Sequence, residues 1–390
     1  MDQQQRQQPR YTPVFNRLGE PGSRDFLSTP ALVCDLDLLE ANVTRMATMT
    51  ASAGVVLRPH VKSHKSAYVA TLQLKAGASG LAFAKLSEAE AVIGRLRRDG
   101  YEERISALLT SPLVGLAAAQ RATALADQCD LIVVVDHADG IEELSKAANE
   151  AGINLSVLCD IDVGLGRTGV VGPQEALRVV ERIASSPSLS FAGVQGYGGH
   201  LQHIKGREQR LAATSTSTKM LSAVIDTLES SGFLVTLRTG GGTGTAAIDS
   251  ELGVLNELQC GSYVFMDREY RDALADDPEG RFHQSLSIIT TVISTNQKGF
   301  VTVDAGLKSM ATDAGSPVVI GHEEESAYHF FGDEQGLITT TAGTTWRRGD
   351  RVDLVPPHCD PTVDRYDVLW IVRDDVVVGV EDIVARGCSQ

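Results

Sequence analysis

Short apolar runs recur along the chain, separated by stretches whose apolar positions return every three or four residues. An apolar strand at Ala31–Cys34 opens the series. The segment after it places Leu38, Leu39, Val43 and Met46 on one helical face. Eight strand-like runs follow: "VVLRP" near 56, "SGLAFA" near 80, "RISALLT" near 105, "DLIVVVD" near 131, "NLSVLCDID" near 155, "FAGVQGY" near 192, "LVTLRTG" near 234 and "ELQCGSY" near 257. Helix-period segments such as "SEAEAVIGRLRR" and "PQEALRVVERIASS" lie between them. The runs do not alternate in polarity, as expected of parallel strands covered by helices. Eight such units over about 210 residues predict a (β/α)8 TIM-type barrel. A doubly wound open sheet is the alternative architecture.

The texture changes near Arg271. "LSIITTVISTN", "GFVTVDAG", "RVDLVPPHC" and "YDVLWIVRDDVVVGVEDIVARG" read as strands joined by turns, an antiparallel β-domain. The predicted division is a disordered or loosely ordered tail over 1–26, a barrel over 27–268 whose first strand could join the β-domain, and a β-domain over 269–390. The tail prediction rests on "MDQQQRQQPR", which is polar and lacks the apolar centre of a signal peptide.

Composition narrows the function classes. The 390 residues are 43% hydrophobic, enough for a large core. A net charge of −15 argues against nucleic acid as a main partner, because phosphate binding needs clustered Lys and Arg. No apolar run approaches the roughly 20 residues of a membrane span. Cys34, Cys129, Cys159, Cys260, Cys359 and Cys388 are scattered without CxxC spacing, which fits free thiols in a reducing, cytoplasmic compartment.

Functional groups of such barrels gather where strands end. Here the polar residues after the apolar runs are "RPHVKSHK", "CDIDVGLGRTG" with Asp160, Asp162 and Arg167, "QGYGGHLQH" with Gln195, Tyr197, His200 and His203, "RTGGGTGT", and "QCGSY" with Gln259, Gly261, Ser262 and Tyr263. The loop Thr239–Thr245 offers backbone N–H groups unobstructed by side chains, and loops after strands seven and eight are the usual phosphate cradle. A flexible turn is its plainer reading. Lys62, desolvated in a barrel mouth, would have a lowered pKa and could condense with a carbonyl. A solvated surface lysine is the plainer reading there, and Lys65 is expected to start a solvated helix. In an extended "PHCD", His358 and Asp360 point the same way while Cys359 faces the other. An imidazole plus a carboxylate suits Mg2+ or Mn2+; a hydrogen-bonded turn is the alternative.

Together these segments resemble the D-threonine aldolase and D-serine dehydratase family, alanine-racemase-type enzymes of pyridoxal 5'-phosphate. The likeness runs from "TPALVCDLDLLEANV" to the C-terminus through "RPHVKSHK", "AKLSEAEA", "GGGTGT", "NELQCGSYVFMD", "VDAGLKS" and "HCDPT". The resemblance implies that Lys62 carries the cofactor and that His60 lies beside it. Gly241, Gly242 and Thr243 would hold the phosphate with Gly261 and Ser262. Tyr197 would lie against the pyridine ring, Arg167 near its hydroxyl and Gln259 at its nitrogen. His203 would be the catalytic base, and His358 with Asp360 the metal ligands. The family's dehydratases carry Cys two residues after the metal His and bind zinc; Asp360 stands there in this chain, as in the aldolases. Gly196 and His200 depart from the family's pattern.

The implied activity is metal-dependent retro-aldol cleavage of a β-hydroxy-D-amino acid to glycine and an aldehyde, with D-threonine or 3-hydroxy-D-aspartate as the substrate type. Dehydration to a keto acid and ammonia is the alternative, and a non-catalytic cofactor carrier a lesser one. Arg58, Arg238, His64 and His200 are the cations available for a distal substrate carboxylate. The resemblance also implies a homodimer in which one chain's β-domain closes the other's barrel.

Overall fold

The computed structural model describes residues 11–341 and 345–390. Strand β1 (Ala31–Asp35) leads into a helix, Leu36–Ser52, that buries Leu39, Val43 and Met46. Asp35 starts that helix by accepting from the backbone N–H of Leu38 at 2.9 Å.

The barrel is built from β2 (Val56–Leu57), β3 (Leu81–Phe83), β4 (Ser106–Leu109), β5 (Asp130–Val135), β6 (Leu155–Asp160), β7 (Leu189–Gly196), β8 (Leu237–Gly240) and β9 (Glu257–Leu258). They form an eight-stranded sheet in the order β2-β9-β8-β7-β6-β5-β4-β3. A parallel bridge between His60 and Ala82 joins its two ends. The sheet is therefore closed, and the open-sheet alternative falls. Helices cover it outside. Pro173–Ala184 is typical: Gly172 enters with φ 81°, Pro173 takes the first turn, and Ala176, Val180 and Ile183 face the sheet.

Inside the barrel, Leu108, Val134 and Leu158 form an apolar plug. Toward the start of the strands lies a buried ion pair: Arg58 Nε donates to Glu257 Oε1 at 2.8 Å, with the side chains 5% and 2% exposed. Arg58 Nη1 also donates to the Ser106 carbonyl. Gly80 is required there, because a Cβ would sit 2.4 Å from Arg58 Nη1 and 2.2 Å from that carbonyl. Arg58→Met strands the buried Glu257 carboxylate, so chemical denaturation should show a loss of about 3–5 kcal/mol. A loss under about 1 kcal/mol would mean that water reaches the pair.

The second sheet comprises β1 with β10 (Leu286–Ser294), β11 (Phe300–Val303), β12 (Val318–Val319), β13 (Ser326–Phe330), β14 (Gly336–Thr340), β15 (Arg351–Val355), β16 (Val368–Arg373) and β17 (Val376–Asp382). Its pairings are antiparallel except β1 with β16. The N-terminal strand is therefore the centre of this sheet. Leu32 and Cys34 face a core shared with the barrel, and Ala31 and Val33 face the opposite side.

That opposite side corrects the loosely ordered tail. Tyr11, Val14 and Leu27 are buried against Ala31, Val33, Trp370 and Val377, and the Tyr11 ring lies 5.6 Å from Trp370. The sheet presents an apolar face that needs a cover, and residues 11–27 supply it. The polar run that motivated the expectation, residues 1–10, lies outside the described residues.

Candidate active site

The "RPHVKSHK" segment leaves β2 after only two residues and becomes a 3-10 turn, Val61–Ser63. Lys62 thus projects from a tight turn and not from a strand end. Its turn is held by the Lys62 backbone N–H donating to His60 Nδ1 at 3.4 Å. With Nδ1 accepting, neutral His60 carries its proton on Nε2 and donates to Thr110 Oγ1 at 3.1 Å. Burial, then the Lys62 charge, lowers the His60 pKa to about 3, so the ring stays neutral.

His60, Lys62, Thr110, Arg167, Tyr197 and Gln259 line a cavity of about 130 Å³ at the strand ends. Ala84, Ser111 and Gln195 complete it. The Arg167 guanidinium stands 5.4 Å from the Tyr197 ring centroid. Behind them, Gln259 Nε2 donates to Gln195 Oε1 and Thr239 Oγ1, each at 3.0 Å. Gln195 Nε2 donates to Asp160 Oδ1 at 2.8 Å. Thr110 and Ser111 were not singled out from the sequence, although "RISALLT" ends at Thr110 as a strand-end polar residue.

The glycine loop packs tightly beside this cavity. A Cβ on Gly241 would sit 2.6 Å from Asp249 Oδ2, and one on Gly242 would sit 2.5 Å from Gln202 Oε1. Thr243 Oγ1 accepts from the Tyr263 N–H at 3.0 Å, which joins the loop to the Gly261–Ser262 turn. At Gly261 a Cβ would lie 2.8 Å from the His60 carbonyl. The structure therefore brings the Gly241–Thr243 loop, Gly261, Ser262 and the Lys62 turn together.

The β-domain reaches the same place. Lys62 Nζ lies 3.2 Å from Asp360 Oδ2. Ser262 Oγ and Cys359 Sγ each donate to Asp360 Oδ1 at 3.3 Å. Burial opposes the Asp360 charge, but Lys62 and His358 outweigh it and hold the carboxyl far below its usual range. Asp360 in turn, against burial, holds the Lys62 ammonium above its usual value, which reverses the lowered pKa expected of a desolvated lysine. His358 Nδ1 meets Asp313 Oδ2 at 2.7 Å. Burial alone would lower the His358 pKa; Asp360 and Asp313 raise it. The segment is not extended throughout as expected: His358 is extended, but Asp360 lies in the first turn of a short helix, Cys359–Val363. Cys359 is buried, and burial pushes its thiol well above the usual value. Among the described residues no group of three or more His, Cys, Asp or Glu is arranged to hold a metal ion, so His358 and Asp360 stand as a two-residue pair.

His203 completes the cluster. Its Nδ1 is 3.8 Å from Glu269 Oε2, and its ring lies 4.5 Å from Tyr270. Its Nε2 is buried with no hydrogen-bond partner among the described residues. Burial lowers its pKa below 6.5, which leaves a neutral imidazole.

Several expected residues lie elsewhere. Arg58 is in the ion pair inside the barrel and does not surround the cavity. His64 is buried against Phe265, its Nδ1 accepting from the Ser66 N–H at 3.2 Å. His200 is exposed beside Gly164, and Arg238 lies at the start of β8. Lys65 is no surface residue: it is 9% exposed, has φ 51°, and pairs with Asp364 Oδ1 at 2.6 Å. That ion pair ties the Lys62 turn to the β-domain.

A closed eight-stranded barrel, with a lysine and a glycine loop at its mouth and a β-domain over it, defines an alanine-racemase-type chain. Residues 34–269 match the alanine racemase N-terminal domain, and residues 285–372 match the putative serine dehydratase domain. The chain is 36% identical to D-threonine aldolase of an Arthrobacter species over 95% of its length and 96% of that protein's. It is 35% identical to 3-hydroxy-D-aspartate aldolase of Paracoccus denitrificans, over 93% of this chain and 92% of that one. The crystal structure of D-threonine aldolase from Filomicrobium marinum superimposes with a TM-score of 0.90 at 33% identity, covering 96% of this chain and 99% of that one. This chain belongs to the D-threonine aldolase and D-serine dehydratase-like family of the alanine racemase fold.

Proposed function

We propose that this protein is a pyridoxal 5'-phosphate- and divalent-metal-dependent aldolase that cleaves β-hydroxy-D-amino acids to glycine and an aldehyde. One observation carries the proposal: Lys62 from the barrel meets Asp360 from the β-domain at 3.2 Å, beside His358 and a neutral His203. The donor set fits both groups. The lined cavity, the tight glycine loop and the lysine at the mouth suit a phosphorylated ring with a reactive carbonyl. The imidazole–carboxylate pair, with its neighbouring thiol held protonated, suits Mg2+ or Mn2+ better than Zn2+. When bound, the cofactor supplies an electron sink at Cα and the metal a Lewis acid for the β-hydroxyl.

The chain's own residues do the rest. Lys62 is the covalent attachment point. Gly241, Gly242, Thr243, Gly261 and Ser262 hold the phosphate, while His60, Arg167, Tyr197 and Gln259 hold the ring. His358 and Asp360 are the metal ligands, with Asp313 fixing the imidazole through Nδ1 and leaving Nε2 for the metal. His203 takes the β-hydroxyl proton. As that oxygen forms the aldehyde C=O, the Cα–Cβ bond breaks, and the electron pair left at Cα takes up a proton to give glycine.

Of the four cations considered for a distal carboxylate, none lines the cavity. That favours D-threonine, with its methyl group, over 3-hydroxy-D-aspartate. D-Threonine with Mn2+ should yield equal glycine and acetaldehyde; release of ammonia and 2-oxobutanoate instead would establish the dehydratase alternative. His203→Asn should cut kcat by about 10²–10⁴-fold with the cofactor still bound. With metal saturating, so that His358 stays ligated and neutral, activity in the wild type should fall as pH drops through the lowered His203 pKa, so the acid limb of kcat/KM lies below 6.5. A midpoint above 7 would assign the base elsewhere. Six free cysteines, five of them buried, support a reducing cytoplasmic setting. No helix among the described residues is long and apolar enough to cross a membrane. We place the enzyme in solution as a homodimer, which light scattering tests.

A further inference from the structure

Asp267 is fully buried, and its charge and that of His358 act on each other. Its two oxygens serve two different helices. Oδ1 accepts from the Tyr270 N–H at 3.0 Å and caps the helix Arg268–Ala273. Oδ2 accepts from the Cys359 N–H at 2.8 Å, at the first turn of Cys359–Val363. That second helix already has an N-cap residue, His358, whose side chain makes no capping bond. An N-cap side chain ordinarily satisfies an N–H of its own first turn. Here a carboxylate from 92 residues away bonds a first-turn N–H, and the His358 ring is left to face Asp313.

Backbone bonds zip the two segments together: Arg268 N–H to the Pro356 carbonyl at 3.1 Å, and Glu269 N–H to the Pro357 carbonyl at 3.3 Å. One helix carries Glu269 and Tyr270, the neighbours of His203. The other carries Asp360. We propose that Asp267 is a positioning residue that, by capping both helices at once, sets the pair His358 and Asp360 in register with His203. The proposal rests on the assignment of that pair as metal ligands.

Metal affinity tests it. Asp267→Ser keeps a short cap for Tyr270 and loses the reach to Cys359. Asp267→Asn keeps the shape but turns an amide N–H toward one of the two backbone donors. Mn2+ titration of the cofactor-loaded proteins by electron paramagnetic resonance should show Kd raised about 10–100-fold in both, with the lysine-bound cofactor's visible band unchanged. Folded variants with wild-type Mn2+ affinity would overturn the proposal. Should either variant not fold, Cys359→Pro deletes the same hydrogen bond from the other side, at a first-turn position that tolerates proline, and Cys359→Ala, which removes only the thiol bond to Asp360, is its control. The same rise in Kd is expected; an unchanged Kd overturns the role of Asp267. Asp360→Asn separates the two layers: if it still binds Mn2+ like the wild type, the metal pair itself is wrong, and the inference falls with it.

Discussion

Lys62→Ala protein is expected to be colourless after incubation with pyridoxal 5'-phosphate, and its cleavage rate to fall by about 10³-fold or more. Among the described residues no other lysine lines the cavity. Lys65, three residues on, is locked to Asp364 at 2.6 Å, and Lys85, just before the helix Leu86–Arg98, is exposed. Lys62 itself combines access and constraint: its side chain is 41% exposed to the mouth, while His60 and Val61 fix its turn. Lys62→Arg separates charge from covalency. Arginine keeps a cation beside Asp360 but cannot condense with the cofactor carbonyl, so it should be as inactive as alanine. Absorption in the visible that survives in Lys62→Ala would show another amine at work and sink the assignment.

The second large effect is metal removal. Chelation with EDTA should reduce cleavage by at least about 10²-fold, since a metal stabilises developing charge by several kcal/mol. The cofactor should stay bound, because the residues proposed to hold it lie on the barrel and the proposed metal ligands on the β-domain. Mn2+ or Mg2+ should restore the rate. Among the described residues only two side chains are proposed as ligands, and Asp360 is shared with Lys62, Ser262 and Cys359, so exchange is expected to be rapid. Asp360→Ala should not be rescued by added metal. Undiminished turnover of the chelated enzyme would take the ion out of the reaction.

Periodicity made the barrel legible, because each buried parallel strand leaves an unbroken apolar run. It exposed β10 and β16, which are mostly buried, and β17 through its valine run although that strand is mostly half-buried. It missed β12, β13 and β14, which are short and only partly buried, so their residues carry no strong pattern. The strand-end rule found Tyr197, Gln259 and the glycine loop, since those groups are polar at the close of apolar runs. It misplaces Arg58 and His64, because a basic side chain need not face solvent or ligand. Arg58 is satisfied inside the barrel by Glu257, 199 residues distant in sequence. Lys65 was misjudged likewise, its partner Asp364 being 299 residues away. Asp313 and Asp267 were invisible on the same ground. "MDREY" does carry an N-cap signal at Asp267, but nothing local announces a second client at Cys359.

A single substrate, 3-hydroxy-D-aspartate, can take both courses open to this family, and product partition from it tests the central claim most directly. With Mn2+ present, the account predicts glycine and glyoxylate in equal amounts, no ammonia, and a lower kcat/KM than for D-threonine. Oxaloacetate and ammonia as the main products would contradict it.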